Sequence, residues 1–186
     1  MQYVIVGLGG QGILFTSRVL GHIAVSRGER VMGSEVHGMA QRGGSVISHF
    51  KVGQYESPLV LTGSADLLIA FDQGEGIRNL HFLRPGAKAI LNLHDPAALE
   101  NVHLKKYATG RGLEISGIPG YRILSEKMNG RFLFMNVLML GAMCGIGAGN
   151  VSIDEIRAAV GTLAPEKHRA DNLKAVELGY EYFRGN

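Results

Sequence analysis

Two stretches of this 186-residue chain gather residue types that bind anions. The first, Gly7-Leu8-Gly9-Gly10-Gln11-Gly12, satisfies G-x-G-x-x-G, in which glycines permit a tight turn and let a phosphate approach backbone N–H groups at a helix N-terminus. With 27 glycines in the chain, chance alone produces that pattern in about half of such sequences. Its weight comes from its place, between the first apolar run and the first helical stretch. The second stretch, Glu35-Val-His37-Gly-Met-Ala-Gln41-Arg42-Gly43-Gly44, is the densest polar and glycine-rich cluster. Arg42 offers a planar fork of donors that matches phosphate or carboxylate, and Gly43-Gly44 can turn a backbone nest toward an anion. Read for chemistry, it is the second half of an anion-binding crevice. Read for structure, it is a surface loop in which Glu35 and Arg42 pair with each other. A dinucleotide site also wants a carboxylate at the end of the second strand to take the ribose hydroxyls, and Glu29 and Glu35 straddle that position.

Other chemistries find no support. Gly-x-Ser-x-Gly is absent, and the one cysteine, Cys144, falls in an apolar helical stretch where a thiol is inert. Seven histidines, at 22, 37, 49, 81, 94, 103 and 168, include no His-x-x-x-His pair on a helix. One cysteine cannot hold an iron–sulfur cluster, and no structural zinc spacing is present. Asn136, inside Phe132-Leu-Phe-Met-Asn-Val-Leu-Met-Leu140, is a buried amide in need of partners, either a hydrogen-bond hub of the core or a group facing a neighbouring subunit. Met135, Met139 and Met143 share one face of the same helix and read as core.

The elements that must position these residues follow from periodicity. Residues 3–7 are an apolar run that stops at glycine, as a buried parallel strand does. Ile13, Leu14, Val19, Leu20, Ile23 and Ala24 recur at helical spacing, and Gly28 ends that helix. Residues 30–35 read as a second strand and 38–44 as a loop. From 45 to 52 Val46, Ser48, Phe50 and Val52 alternate with Ile47, His49 and Lys51, which predicts a half-exposed strand, antiparallel or near an edge. Residues 66–72 and 87–93 are further apolar strands, separated by a helix over 75–82. The stretch 95–121 reads as loops with one or two strands, because prolines and glycines break it. Helices are expected over 130–145, 153–161 and 168–184, the middle one opened by the capping box Ser152-Ile-Asp-Glu155. Strands alternating with helices predict an α/β fold: one domain spanning 1–186, an open, mostly parallel sheet flanked by helices, Rossmann-like in layout.

Composition narrows the class. The chain is 46% hydrophobic and 19% charged, with no Trp, and its length suits one well-buried core. A net charge of +3 without a long Lys/Arg run gives nucleic acid no footprint. The N-terminus lacks the pattern of a signal peptide. The most apolar window, 132–146, is about 15 residues against the roughly 20 of a membrane span. A reduced, cytoplasmic setting without membrane contact is expected.

Together, Gly7 to Gly12, Glu35 to Gly44, the strand Asp66 to Phe71, Asn136-Val-Leu-Met-Leu-Gly141 and the stretch Asn172 to Gly179 resemble the gamma-type subunits of 2-oxoacid:ferredoxin oxidoreductases. The form His37-Gly-Met-Ala-Gln-Arg-Gly-Gly44 and Ser57-Pro58 are most similar to the small subunits of the indolepyruvate branch. The resemblance implies a complex that oxidatively decarboxylates 2-oxoacids with thiamine diphosphate, passes the acyl group to coenzyme A and sends electrons through iron–sulfur clusters to ferredoxin. Thiamine-binding and ferredoxin-like chains would hold those cofactors, leaving this chain an accessory subunit with no catalytic residue or metal of its own, able to pair with itself when made alone. The resemblance carries Gly7, Gly9, Gly10, Gln11 and Gly12 to the turn, and Glu35, His37, Gln41, Arg42, Gly43 and Gly44 to a loop that faces partners or coenzyme A. The family's Glu after the Asp-Leu-Leu strand is Asp72 here, and its usual Arg in the third strand is Lys51, a point charge in place of a fork. Read from the glycine turn alone, the alternative is a freestanding NAD(P)- or nucleotide-binding protein.

Overall fold

In the computed structural model, which describes residues 1–38 and 43–185, the strand β1 (Gln2–Leu8) buries both of its faces. Tyr3 and Ile5 enter one apolar core, Val4 and Val6 another. This is why the opening run is apolar throughout instead of alternating. The chain continues through α1 (Ile13–Ser26), β2 (Val31–His37), β3 (Ser45–Val52), β4 (Ala65–Ala70), α2 (Gln73–Asn79) and β5 (Leu83–Asn92). Then come α3 (Val102–Arg111), β6 (Glu114–Ile118), α4 (Gly120–Met128), α5 (Met135–Gly145), α6 (Ile153–Leu163) and α7 (Arg169–Arg184). Short 3₁₀ turns cover Leu80–Phe82, Pro96–Glu100, Phe132–Phe134 and Glu166–His168.

The six strands form one sheet in the order β2-β3-β1-β4-β5-β6. β1, β4, β5 and β6 pair in parallel, while β3 is antiparallel to both β1 and β2. Helices α1 and α4 to α7 cover one face around Leu20, Leu67, Ile69, Leu138 and Val160. Helices α2 and α3 cover the other around Leu68, Leu83, Leu91 and Leu104. The expected open, mostly parallel α/β sheet is therefore present as one domain. No helix among the described residues is long and apolar enough to cross a membrane.

Three expectations need correction. β3 is antiparallel as expected but not half exposed: His49 and Lys51 are only 5% and 6% accessible. The connection after β3 folds back over that face, where Val60 N–H donates to His49 Nδ1 at 3.3 Å and Lys51 Nζ lies 5.0 Å from the Tyr55 ring centroid. Burial correspondingly pushes the His49 imidazolium below its usual range, and the neighbouring Lys51 charge adds to the effect. Second, the stretch 95–121 holds a full helix, α3, and the start of α4. Asn101 caps α3 by accepting from the N–H groups of His103 and Leu104, and Gly112 ends it in the left-handed region. Third, the helix expected over 130–145 begins at Met135, after the 3₁₀ turn Phe132–Phe134.

Candidate functional site

The glycine turn sits where β1 delivers it, at the carboxyl edge of the sheet, leading straight into α1. Gly12 occupies the N-cap of α1 at φ 81°, a left-handed conformation that costs an L side chain about 1 kcal/mol. With no side chain it cannot cap, and the first turn of α1 carries no acidic residue. Among the described residues the N–H groups of Gly12, Ile13 and Leu14 have no backbone acceptor. The helix end therefore presents donors without acceptors, together with the positive end of the helix dipole. Gln11 folds back over Gly7, its Oε1 accepting from Leu8 N–H at 2.7 Å and its Nε2 donating to the Tyr121 hydroxyl at 3.1 Å.

The second motif meets the first through Gly9 N–H, which donates to the Gly44 carbonyl at 2.9 Å. Gly43 and Gly44 are thus held against the glycine turn. Beneath them Ser45 Oγ donates to the buried Glu75 carboxylate at 2.7 Å, and Arg78 pairs with the other Glu75 oxygen. Asp72, at the end of β4, caps α2 by accepting from Glu75 N–H at 3.0 Å. Asn92, at the end of β5, donates to the Phe71 carbonyl and accepts from Gly120 N–H, both at 3.0 Å. It thereby ties β4 and β5 to the start of α4.

Glu35 and His37 are not brought to this crevice. They lie on exposed edge strand β2, where His37 Nε2 is 3.4 Å from a Glu35 carboxylate oxygen, so Glu35 has a histidine as neighbour. Because β3 separates β2 from β1, Glu35 stands two strand spacings, roughly 9.5 Å, from the glycine-turn strand. The dinucleotide layout, with the second strand beside the first, is not reproduced. Gln41 and Arg42 lie outside the described residues. Ser45, Glu75, Asn92 and Tyr121 went unnoticed in the sequence, and Asp72 was noted only as standing where the family has Glu. Only Asp72-x-x-Glu75 carried a legible signal, a helix-cap spacing directly after an apolar strand.

A cleft of about 800 Å³ opens on the opposite face of the sheet from α1, between α2 and α3, lined by Ile77, Arg78, Leu80, Asp95, His103 and Tyr107. It is roomy and largely apolar, whereas the uncapped N–H donors are at the glycine turn on the other side of the sheet. The described residues offer no ligand set for an iron–sulfur cluster. Cys144 is buried in α5, its thiol pushed up to about 12 by burial, and a cluster needs four thiolates. Nor do the described residues gather three His, Cys, Asp or Glu side chains able to hold a metal ion.

Comparison with known proteins agrees with this layout. Residues 2–182 match the family model described as pyruvate ferredoxin/flavodoxin oxidoreductase. The indolepyruvate oxidoreductase subunit IorB of Archaeoglobus fulgidus is 32% identical, over 97% of this chain and 94% of that protein. The keto/oxoacid ferredoxin oxidoreductase gamma subunit of Geobacter sulfurreducens superposes with a TM-score of 0.74 at 22% identity, covering 100% of this chain and 99% of its own. The 2-oxoglutarate:ferredoxin oxidoreductase of Magnetococcus marinus, whose structure holds 2-oxoglutarate, coenzyme A and succinyl-CoA, superposes with a TM-score of 0.77 at 18% identity, over 31% of its chain. With nearly its whole length matched and both glycine motifs in one crevice, the chain belongs to the pyruvate ferredoxin/flavodoxin oxidoreductase family.

Proposed function

We propose that this chain is the accessory, gamma-type subunit of a cytoplasmic 2-oxoacid:ferredoxin oxidoreductase that acts on indolepyruvate and related arylpyruvates. The observation that carries the reading is the end-to-end match to an indolepyruvate oxidoreductase subunit of nearly the same length. In the complete reaction the 2-oxoacid loses carbon dioxide, the acyl group forms a thioester with the sulfur of coenzyme A, and the electron pair leaves to ferredoxin. Thiamine diphosphate supplies the carbanion chemistry and iron–sulfur clusters carry the electrons, both held by partner chains. The part assigned to this chain is binding. The glycine turn formed by Gly7, Gly9, Gly10, Gln11 and Gly12, with Gly43 and Gly44 against it, receives a phosphate group of coenzyme A, and Gln41 and Arg42, next to Gly43 in sequence, take part in that binding. The Glu35 and His37 pair, on the exposed edge of the sheet, faces a partner chain. The thioester chemistry then takes place in the neighbouring chain while this one holds the nucleotide end.

Anaerobic pull-down of the tagged chain from its native cell tests the assignment. Co-purification with a larger thiamine-binding chain and a cluster-bearing chain, the eluate brown and active with indolepyruvate, is the expected result. A chain recovered alone and colourless, as a monomer or paired with itself, overturns it.

A further inference from the structure

The cleft between α2 and α3 lies on the opposite face of the sheet from α1 and shares no residue with the glycine turn. Leu80 and Leu104 line it as buried side chains, while Ile77 and Tyr107 are left 36% and 37% exposed. Tyr107 is braced, since Arg111 donates to its hydroxyl at 2.8 Å. A concavity of about 800 Å³ with an apolar lining and a few polar groups has the size and make-up of a small-molecule site. Three formal charges border it, Arg78, Asp95 and Glu100. Glu100 is paired with Lys105. The other two are engaged on one side only. Among the described residues Arg78 spends one Nη2 contact on Glu75 and keeps its remaining N–H groups free, with its side chain 69% exposed. Asp95 accepts from Ala97 N–H through Oδ1 at 2.9 Å and has no partner at Oδ2 among the described residues. Arg78 and Asp95 are opposite in sign and border one cleft, yet form no ion pair with each other. A simple anion entering here meets the Asp95 carboxylate, and a simple amine leaves the Arg78 fork unused. A molecule with both charges and an apolar body satisfies every wall.

We propose that this cleft is a binding site for a free α-amino acid with an apolar side chain, aliphatic or aromatic. Arg78 takes the α-carboxylate, Asp95 takes the α-ammonium, and Ile77, Leu80, Leu104 and Tyr107 take the side chain. The site owes nothing to the glycine turn or to the reading of that turn as a coenzyme A site, so either can fail without the other.

Titration of the isotope-labelled full chain with L-tryptophan, L-leucine, indole-3-propionate and tryptamine, followed by backbone amide resonances, tests the assignment. Indole-3-propionate lacks the ammonium and tryptamine lacks the carboxylate. L-Tryptophan is expected to give saturable shifts confined to residues 77–81 and 95–107, with each one-charge analogue binding roughly tenfold or more weakly. Asp95→Asn keeps the Oδ1 acceptor for Ala97 N–H and removes only the charge. It is expected to weaken L-tryptophan and tryptamine roughly tenfold and to leave indole-3-propionate as it was. Arg78→Lys keeps a cation for Glu75 and loses the fork, so it is expected to weaken L-tryptophan and indole-3-propionate and to spare tryptamine. Should Arg78→Lys melt early, Asp95→Asn and the wild-type analogue series decide without it. Equal affinity for tryptophan and its two analogues makes the cleft a merely greasy surface and overturns the proposal. Tryptophan binding that ignores Asp95→Asn overturns it as well, and so does the absence of saturable shifts with both amino acids.

Discussion

Glu155 is held from three directions. The Ser152 backbone N–H donates to its carboxylate at 2.8 Å, and the Arg27 guanidinium grips both oxygens at 2.6 and 2.7 Å. The cap hydrogen bond from Ser152, followed by the arginine, holds its pKa down at about 2, against an ordinary 4.5. A carboxyl group whose pKa is lowered by folding contributes stability above its unfolded value, and that contribution disappears as pH falls through the folded value. Urea midpoints of the wild type should therefore drop more steeply than those of Glu155→Gln between about pH 4.5 and 2, the two curves converging at the acid end. Parallel curves would mean that the bidentate pair does not act on stability. This residue was legible in advance, since Ser-x-x-Glu ahead of an apolar helix names both cap partners. Its arginine, more than a hundred residues earlier, was not. The same contrast runs through the crevice: Gly7 to Gly12 could be read locally, whereas Glu75 under Ser45 and Asn136 over Gly12 are contacts between segments remote in sequence.

The crossing of α5 and α7 shows what glycine does in an apolar helix. A Cβ on Gly141 would lie 1.9 Å from the Val176 carbonyl oxygen, and one on Gly179 would lie 1.9 Å from that of Leu138. The two backbones touch there, with no side chain between them. Gly141→Ala must push the helices apart, and overpacking a close-packed core on this scale costs about 3 kcal/mol or more. Gly161, inside α6, has nothing within 4 Å of its would-be Cβ. The same substitution there should stabilise by about 0.5–1 kcal/mol through helix propensity and a smaller unfolded-state entropy. Opposite shifts in melting temperature for the two alanines would verify the crossing; equal losses would refute it. At this scale the sequence marked α5 as core through Met135, Met139 and Met143, but nothing local shows that Gly141 meets another helix. Helix α3 was missed for the converse reason. It buries only Leu104, so its periodicity is faint, although its Asn101 cap and Gly112 stop were in plain view. β3 misled because His49 and Lys51 look like solvent residues until the connection after the strand closes over them.

At the scale of the molecule, one sheet divides two cores and one crevice draws on all the layers. Around the glycine turn meet residues 7–12 between β1 and α1, 43–45 entering β3, Glu75 bonded to Ser45, Tyr121 on α4 and Asn136 on α5. The order of strands was not deducible from the alternation of elements: a parallel Rossmann-like run was legible, but the reversed β3 between β2 and β1 depends on pairings that local sequence does not encode. That insertion places β3 between β1 and the strand that carries Glu35, so the carboxylate that would take the hydroxyls of a ribose is not beside the turn. A site assembled from so many segments exists only when the sheet is complete, so loss of the site and loss of the fold should be one event. The chain has no tryptophan, and tyrosine emission reports the tertiary structure: Tyr3 on β1 donates to the Gly149 carbonyl at 2.6 Å, and Tyr121 on α4 meets Gln11 in the crevice. In a urea titration, tyrosine fluorescence and far-ultraviolet circular dichroism should give coincident midpoints, and coenzyme A should move both upward together by mass action. A tyrosine transition that precedes the loss of secondary structure would show that the helical layer of α4 to α7 detaches from an intact sheet, and the crevice would then be an element that opens on its own.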